Sequence, residues 1–293
     1  MELSQREFEL LRQYIHNLCG LVISENKSYL IRQRLEPLVL KSGCSGFDEF
    51  YNELRKGDSI KSKLLPQIKE KIINAITTHE TSFFRDGHPF GTFKEYLLPR
   101  LSKMVIQRKG RLKHRKGAKV RLWSAGAATG QEPYSIAMLI HEFTDSTVFL
   151  SDVVKEDFGL LATDISSTMI TKAMTAEYSQ FEIKRGINSR RLRKFFFKEK
   201  EHWTIKSLIR TMVEFRQINL IEPFRMLGGF DVILCRNVLI YFDNLAKIRV
   251  LDQFNDMLCK NGWLILGATE NIFNLSNKFK TVHYGETIFY QKK

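Results

Sequence analysis

The residues best placed for chemistry lie between Arg121 and Ile140, in the stretch RLWSAGAATGQEPYSIAMLI. A short apolar strand through Leu122 and Trp123 runs into Ser124-Ala125-Gly126-Ala127-Ala128-Thr129-Gly130, and an apolar helix starts near Pro133. Gly126 and Gly130 permit positive φ and let a ligand approach the backbone with no Cβ in the way, which is how nucleotide-type groups are held at the edge of a parallel sheet. The same turn also occurs where it only packs a helix on a sheet, so by itself it leaves both readings open. A second landmark is the acid in Leu160-Leu161-Ala162-Thr163-Asp164-Ile165-Ser166. At the end of a second parallel strand, a carboxylate accepts hydrogen bonds from both hydroxyls of a ribose. The alternative for Asp164 is a cap on a helix beginning near Ser166.

Positioning these groups requires a sheet. From Lys119 onward strand and helix signals alternate, the pattern of a parallel sheet covered on both faces. The predicted strands are Val120 to Ser124, Leu160 to Thr163, Val213 to Gln217, Val232 to Cys235 and Trp263 to Gly267, and a terminal hairpin joins Thr281–Tyr284 to Thr287–Tyr290 around Gly285-Glu286. A long connection from Phe143 to Phe158 separates the glycine turn from Asp164. Tyr178 to Met212 is too long for an ordinary return from helix to strand, and Phe195–Phe197 with Trp203–Ile205 reads as a small β-hairpin inside it.

The first 76 residues read as helices only. Ser4-x-x-Glu7 forms a capping box, Phe8, Leu11, Ile15 and Leu18 recur at helical spacing, and Gly20 stops the helix. A second helix spans about Ser28 to Ser42, with Pro37 falling inside its pattern. Ser45-x-x-Asp48 predicts a further capping box, and a fourth helix is expected from Lys61 to Ile76. This bundle carries no cluster of catalytic side chains, which points to recognition or scaffolding. The junction that follows, TTHETSFFRDGHPF, is too apolar for a loose linker and reads as an ordered connection.

Composition narrows the function classes. With 43% apolar and 27% charged residues, the 293-residue chain has the make-up of a folded protein of about two domains. Met1 to Gly20 is charged throughout, so neither a signal peptide nor an anchor is expected, and no apolar run is long enough to cross a bilayer. Four cysteines without C-x-x-C spacing point to reduced thiols in a cytoplasmic protein, and seven scattered histidines offer no metal motif. The net charge of +14 is concentrated in two places: ten Lys/Arg and no acid from Arg100 to Arg121, and seven with no acid from Lys184 to Lys198. The first is either a solvated loop or a site for an acidic protein. It lacks the interleaved aromatics of a single-strand-binding surface, so no nucleic-acid partner is expected.

The glycine turn lacks the G-x-G-x-x-G order of nicotinamide sites, which makes S-adenosylmethionine the better candidate cofactor. Five segments taken together, THETSFFRD, SAGAATGQEPYSIAM, LATDIS, FRQINL and FDVILCRNVLIYF, resemble the CheR family of chemotaxis receptor methyltransferases, in order and over essentially the whole chain. The resemblance implies an α/β fold of the class I S-adenosylmethionine-dependent methyltransferase type: a Rossmann-like doubly wound sheet with a terminal antiparallel hairpin, a small N-terminal all-α domain and an inserted β-subdomain. The implied division is a receptor-recognition domain over 1–76, a junction over 77–90 that contributes to the cofactor site, and a methyltransferase domain over 91–293 with the insert at about 178–212.

The implied activity is methylation of glutamate side chains on the cytoplasmic helical bundle of transmembrane chemoreceptors, giving methyl esters and the product S-adenosylhomocysteine. Family cofactor contacts fall on His79, Thr81, Arg85, Gly126, Glu132, Asp164, Asn219, Leu220, Asn237 and Val238. His79 stands where the family usually has Asn. Arg85 and Tyr241 are the residues expected to act on the transfer itself. Arg85 is suited either to orient the incoming carboxylate or to bind the cofactor's own, and Tyr241 either lines the site or packs. Arg32 and Arg34 are expected to face the receptor. The inserted hairpin either adds a C-terminal receptor peptide as an extra strand or buttresses the sheet edge. A monomer with no metal and no inserted membrane segment is expected. The alternative from another class is a domain that binds the cofactor and signals without transfer, and a nucleic-acid methyltransferase ranks behind both.

Overall fold

A computed structural model describes residues 1–57, 65–111, 119–146 and 152–293. The first four helices are α1 (Gln5–Cys19), α2 (Ser28–Lys41), α3 (Phe47–Gly57) and α4 (Leu65–Ile76). Helix α1 opens on the reciprocal cap between Ser4 and Glu7 and closes at Gly20, whose φ of 74° lets its N–H reach the His16 carbonyl. Its stripe Phe8, Leu11, Ile15 and Cys19 is buried. Helix α2 runs unbroken through Pro37, because its inner stripe Ile31, Leu35 and Val39 is fully buried and holds the turn that lost one amide. The cap expected at Asp48 is instead made by Glu49, whose carboxylate accepts from both the amide and the hydroxyl of Ser45, at 2.7 Å each. The Asp48 amide is taken by Glu7 at 3.0 Å. Residues 61–64, expected to start α4, lie outside the described residues.

The remaining chain builds a seven-stranded sheet from β1 (Val120–Ala125), β2 (Phe158–Asp164), β6 (Val213–Gln217), β7 (Phe230–Cys235), β8 (Leu258–Leu266), β9 (Phe279–Tyr284) and β10 (Thr287–Lys292), in the order β6-β2-β1-β7-β8-β10-β9. The first five in that row are parallel, β10 runs antiparallel to β8, and β9 antiparallel to β10. The chain leaves β1 toward β2 on one side and comes back to β7 on the other, so the carboxyl ends of β1 and β7 flank a topological switch point. Alternation along β1 divides the core. Val120 and Leu122 pack with α7 (Gln131–Ser146), whereas Trp123 and Ala125 face α12 (Asn244–Met257).

A helix precedes the sheet: α5 (His88–Thr92) passes through a π-turn at Phe93–Leu97 into α6 (Leu98–Arg111), and α8 (Ser167–Thr175) follows β2. The insert is a three-stranded sheet in the order β3-β5-β4, made of β3 (Glu177–Ser179), β4 (Phe196–Glu199) and β5 (His202–Ile205). Helices α9 (Gln180–Lys184) and α10 (Ser189–Phe195) lie within it, and α11 (Ser207–Arg210) leads out of it. The predicted hairpin therefore exists and gains a third strand. Phe83 of the junction packs edge-on against Tyr178 of β3 at 4.8 Å and Phe196 of β4 at 5.7 Å. The junction is thereby pinned to the insert.

Much of the described positive charge is internally satisfied. Arg108 forks onto the buried Asp231 at 2.6 and 2.8 Å, Asp231 also accepts from the Arg121 amide, and Lys109 pairs with Asp157 at 2.7 Å. In the second cluster Arg191 binds Glu142 through two bonds of 2.8 Å, and Lys194 binds Asp145 at 2.7 Å. Among the described residues no helix is long and apolar enough to cross a membrane, and no group of three His, Cys, Asp or Glu is arranged to hold a metal ion. Cys19, Cys44 and Cys235 are buried free thiols.

Candidate functional site

A cavity of about 990 Å³, counting its open mouth, lies at the carboxyl ends of β1, β2, β6 and β7. The junction from Thr77 to Arg85 forms one wall and the end of α1 another. Sequence reading placed no cofactor contact among the helices, yet Cys19 and Leu21 line this cavity. The helical unit is held there by a Leu21–Phe242 β-bridge, a Val22 amide bond of 2.8 Å to the Tyr241 carbonyl, a His16–Asp243 hydrogen bond of 2.7 Å, and an Asn219 side-chain bond of 3.0 Å to the Leu18 carbonyl.

At the floor, Gly126 has φ of 80°, and a Cβ there would stand 2.3 Å from the Val238 methyl. Glycine is required on both counts, strain and space. Asp164 sits at the end of β2 with Oδ2 accepting from the Ala128 amide and Oδ1 from the Ser166 amide, both at 2.9 Å. The cap of α8 is supplied by the Ser166 hydroxyl, which accepts from Met169, so Asp164 is not the helix cap. Each carboxylate oxygen keeps a lone pair for the cavity it lines.

His79 faces the same space. The Thr77 hydroxyl donates to the Ile73 carbonyl at 2.6 Å, so in its 2.8 Å contact with His79 it accepts, and Nε2 carries the proton. The neutral ring then offers Nδ1 as an acceptor. Burial pushes the His79 pKa down against the pull of Asp164, with Arg34 adding to the lowering. Burial also pushes the Asp164 carboxyl up, opposed by backbone bonds from Ser166, Ala128 and Ile165 and by His79. A proton arriving at either group removes an acceptor. With both acceptors turned to a bound ligand such as S-adenosylhomocysteine, affinity is expected to be full when Asp164 is ionised and His79 neutral, and to fall as pH drops through a His79 pKa below 6.5 and an Asp164 pKa above 3.8. Titration calorimetry from pH 7 down to 4, the span that brackets the ordinary values of the two groups, should show weakening on the acid side, and a flat profile would contradict these roles.

Glu132 is buried beneath the turn, accepting from the Ser124 hydroxyl at 2.8 Å and from Arg236 at 2.9 Å. Arg236, at the end of β7, also donates to Asp86 at 2.7 Å and to the Arg85 carbonyl at 3.0 Å. It joins the α7 wall to the junction and was not singled out from sequence. Glu270 was also missed. Its carboxylate accepts from the amides of Asn237, Val238, Ile240 and Gly267 at 2.7 to 3.2 Å, which fixes the loop after β7, where Asn237 holds φ of 59°. Leu220, Asn237, Val238, Thr81 and Tyr241 line the cavity as expected from their order in the chain. Arg85 does too, half-buried, with one Nη donating to the Glu80 carbonyl at 2.9 Å. Asn219 lines it while its amide group is engaged by Leu18 and Ile221.

Of the two arginines expected at a receptor surface, Arg32 is exposed. Arg34 turns inward instead, its Nη1 within 3.0 to 3.3 Å of the carbonyls of Ala75, Ile76 and Thr77. Those are the open carbonyls at the end of α4, where a cation is favoured, so Arg34 secures the start of the junction.

A glycine cradle, a buried ribose-type acid and apolar side walls fit an adenosine-bearing group. With the sheet order and the switch-point cavity, they define a class I S-adenosylmethionine-dependent methyltransferase. Residues 79–288 match the family described as CheR methyltransferase, SAM binding domain, and residues 6–77 match CheR methyltransferase, all-alpha domain. The chain belongs to the CheR methyltransferase family. It uses S-adenosylmethionine to methylate glutamate side chains of methyl-accepting chemotaxis receptors, and it engages their cytoplasmic domains. Among its relatives, chemotaxis protein methyltransferase Cher2 of Pseudomonas putida is 35% identical over 294 residues, covering all of both chains. Chemotaxis protein methyltransferase 1 of Pseudomonas aeruginosa is 34% identical with the same coverage. The chemotaxis protein methyltransferase of Vibrio anguillarum is 33% identical over 99% of this chain and 98% of its own.

Proposed function

We propose that this chain methylates receptor glutamates by orienting two reactants and excluding water, with no general base. The observation that carries this reading is the placement of Arg85 and Tyr241 in one cavity with Asp164 and the Gly126 turn. A glutamate side chain, with a pKa of about 4.3, is already ionised at neutral pH, so nothing need remove a proton from it. When bound, S-adenosylmethionine would supply a methyl carbon on a sulfonium, to which a glutamate carboxylate oxygen forms the new C–O bond as the C–S bond breaks and its electron pair leaves on sulfur, giving the neutral thioether S-adenosylhomocysteine. Asp164 and His79 offer acceptors to hydroxyl or amino donors, and Thr81, Gly126, Glu132, Asn219, Leu220, Asn237 and Val238 shape the rest of the cradle. Arg85 has a guanidinium edge left to orient a carboxylate.

Tyr241→Phe and Arg85→Lys should bind S-adenosylhomocysteine within severalfold of the parent yet methylate receptor about ten- to a hundredfold more slowly, since a group acting mainly at the transition state lowers turnover more than affinity. Parental rates at saturating receptor and cofactor would remove both from the transfer step.

The helices up to residue 76 serve as the recognition domain, with Arg32 offered to acidic receptor helices. The free edge of β4, where Phe197 is exposed, suits the addition of a receptor's C-terminal peptide as a strand. The chain works in the cytoplasm as a monomer, where the receptor's methylated region lies, and takes no nucleic acid.

A further inference from the structure

The last turn of α4 carries a polar residue among apolar ones. Ile72 and Ile76, four apart, are buried in the helical core, and Asn74 between them lies on the opposite face of a helix that asparagine does little to favour. Its side chain crosses to the start of α8. There Oδ1 accepts from the Ser166 hydroxyl, and Nδ2 donates to the Thr168 hydroxyl at 2.9 Å. Ile165, the neighbour of Ser166, packs against the same helical core. The turn that carries Asn74 is itself fixed, because Arg34 of α2 binds the carbonyls of Ala75, Ile76 and Thr77.

Ser166 connects this contact to the cavity. It is fully buried, and its amide donates to Asp164 Oδ1 at 2.9 Å. A serine hydroxyl has one proton to give and lone pairs to receive. Here the proton goes to Asn74, and a lone pair accepts from the Met169 amide at 3.1 Å. Both bonds hold in place the N–H that orients one carboxylate oxygen, while the Ala128 amide holds the other. A carboxylate that meets two neighbouring hydroxyls at once tolerates little rotation, so a partner that fixes it raises affinity without touching the ligand. Asn74 itself does not line the cavity.

We propose that Asn74 is a positioning residue for the cofactor: from the helical domain it holds Ser166, and through the Ser166 amide it sets the carboxylate of Asp164. The role rests on the ribose reading of Asp164 above. The helical domain, expected from sequence to serve recognition or scaffolding, thereby supplies part of the order in the cofactor site.

The test is titration with S-adenosylhomocysteine of Asn74→Ala, Thr168→Val and Ser166→Ala. Asn74→Ala should weaken binding about tenfold, the equivalent of one lost hydrogen bond. The half-saturating concentration of S-adenosylmethionine should rise in parallel, with the rate at saturating cofactor and the half-saturating receptor concentration unchanged. A residue that only docks the two units would lower the thermal midpoint and leave cofactor affinity where it was. Thr168→Val loses only the outer bond and should bind as the parent. Ser166→Ala should weaken binding, and adding Asn74→Ala to it should weaken it no further, because the hydroxyl through which Asn74 acts is gone. Parental affinity in Asn74→Ala, an equal loss in Thr168→Val, or additive losses from Asn74→Ala and Ser166→Ala would overturn the positioning role. Weakened binding by Asp164→Asn beside a parental Asn74→Ala would sink that role alone, whereas parental binding by Asp164→Asn would take the ribose reading down with it.

Discussion

Asp164→Ala should abolish measurable binding of S-adenosylhomocysteine in titration calorimetry. The carboxylate accepts from the Ala128 and Ser166 amides and keeps one lone pair on each oxygen for the cavity. Two hydrogen bonds to a charged acceptor, each worth about 1.5–3 kcal/mol, correspond to a loss of roughly a hundredfold or more. The unliganded protein should tolerate the change better than binding does. Burial raises the Asp164 pKa even with its amide donors in place, so removing the costly buried charge offsets part of what leaving the Ala128 and Ser166 amides unpaired costs the fold. The thermal midpoint should therefore fall far less than the binding curve. Asp164→Asn keeps one carbonyl acceptor and should bind with intermediate affinity. Parental affinity in both variants would remove the acid from the ribose position.

The second large effect is on stability. Arg236→Met leaves the buried Glu132 carboxylate without its ion-pair partner and releases Asp86 and the Arg85 carbonyl. Breaking one side of a buried pair costs about 3–5 kcal/mol, because the remaining charge is uncompensated. Urea unfolding should register a loss near the low end of that range, since Asp86 can turn to solvent. Adding Glu132→Gln to Arg236→Met should recover part of it by removing the stranded charge, although Ser124 then faces an amide. A loss below about 1 kcal/mol would show that Arg236 does not hold the wall to the junction.

The cradle was legible because its parts are local. Gly126, Asp164, Asn237 and Tyr241 each follow a strand at a fixed offset, and a strand that ends on a switch point brings its next residues to the cavity whatever the rest of the chain does. What was not legible is long-range pairing. Arg236 was visible only as part of a motif, since its partners Glu132 and Asp86 stand 104 and 150 residues away. Glu270 follows a strand and looks like an ordinary loop acid until four amides are seen to converge on it.

Arg34 has a similar lesson. The family resemblance suggested a partner outside the protein, but the end of α4 supplied one within. In the first basic cluster Arg108 finds its acid, Asp231, 123 residues away on β7, while residues 112–118 of that cluster lie outside the described residues. Strand β3 escaped notice because three residues are too few to show alternation, and it is held by pairing with β5. The cavity wall from α1 was hidden for a different reason. Cys19 and Leu21 are ordinary core residues in type, and only the β-bridge to Phe242 shows where they face.

The most direct test of the central claim is transfer itself. The protein is incubated with S-adenosylmethionine labelled in its methyl group and with receptor-rich membranes, and the receptor band is then treated with mild alkali. Label should appear on receptor and leave as methanol, because a glutamate methyl ester is hydrolysed under conditions that spare methylated amines. Receptor that stays unlabelled, or label that resists alkali, would contradict the assignment of this cavity to carboxylate methylation.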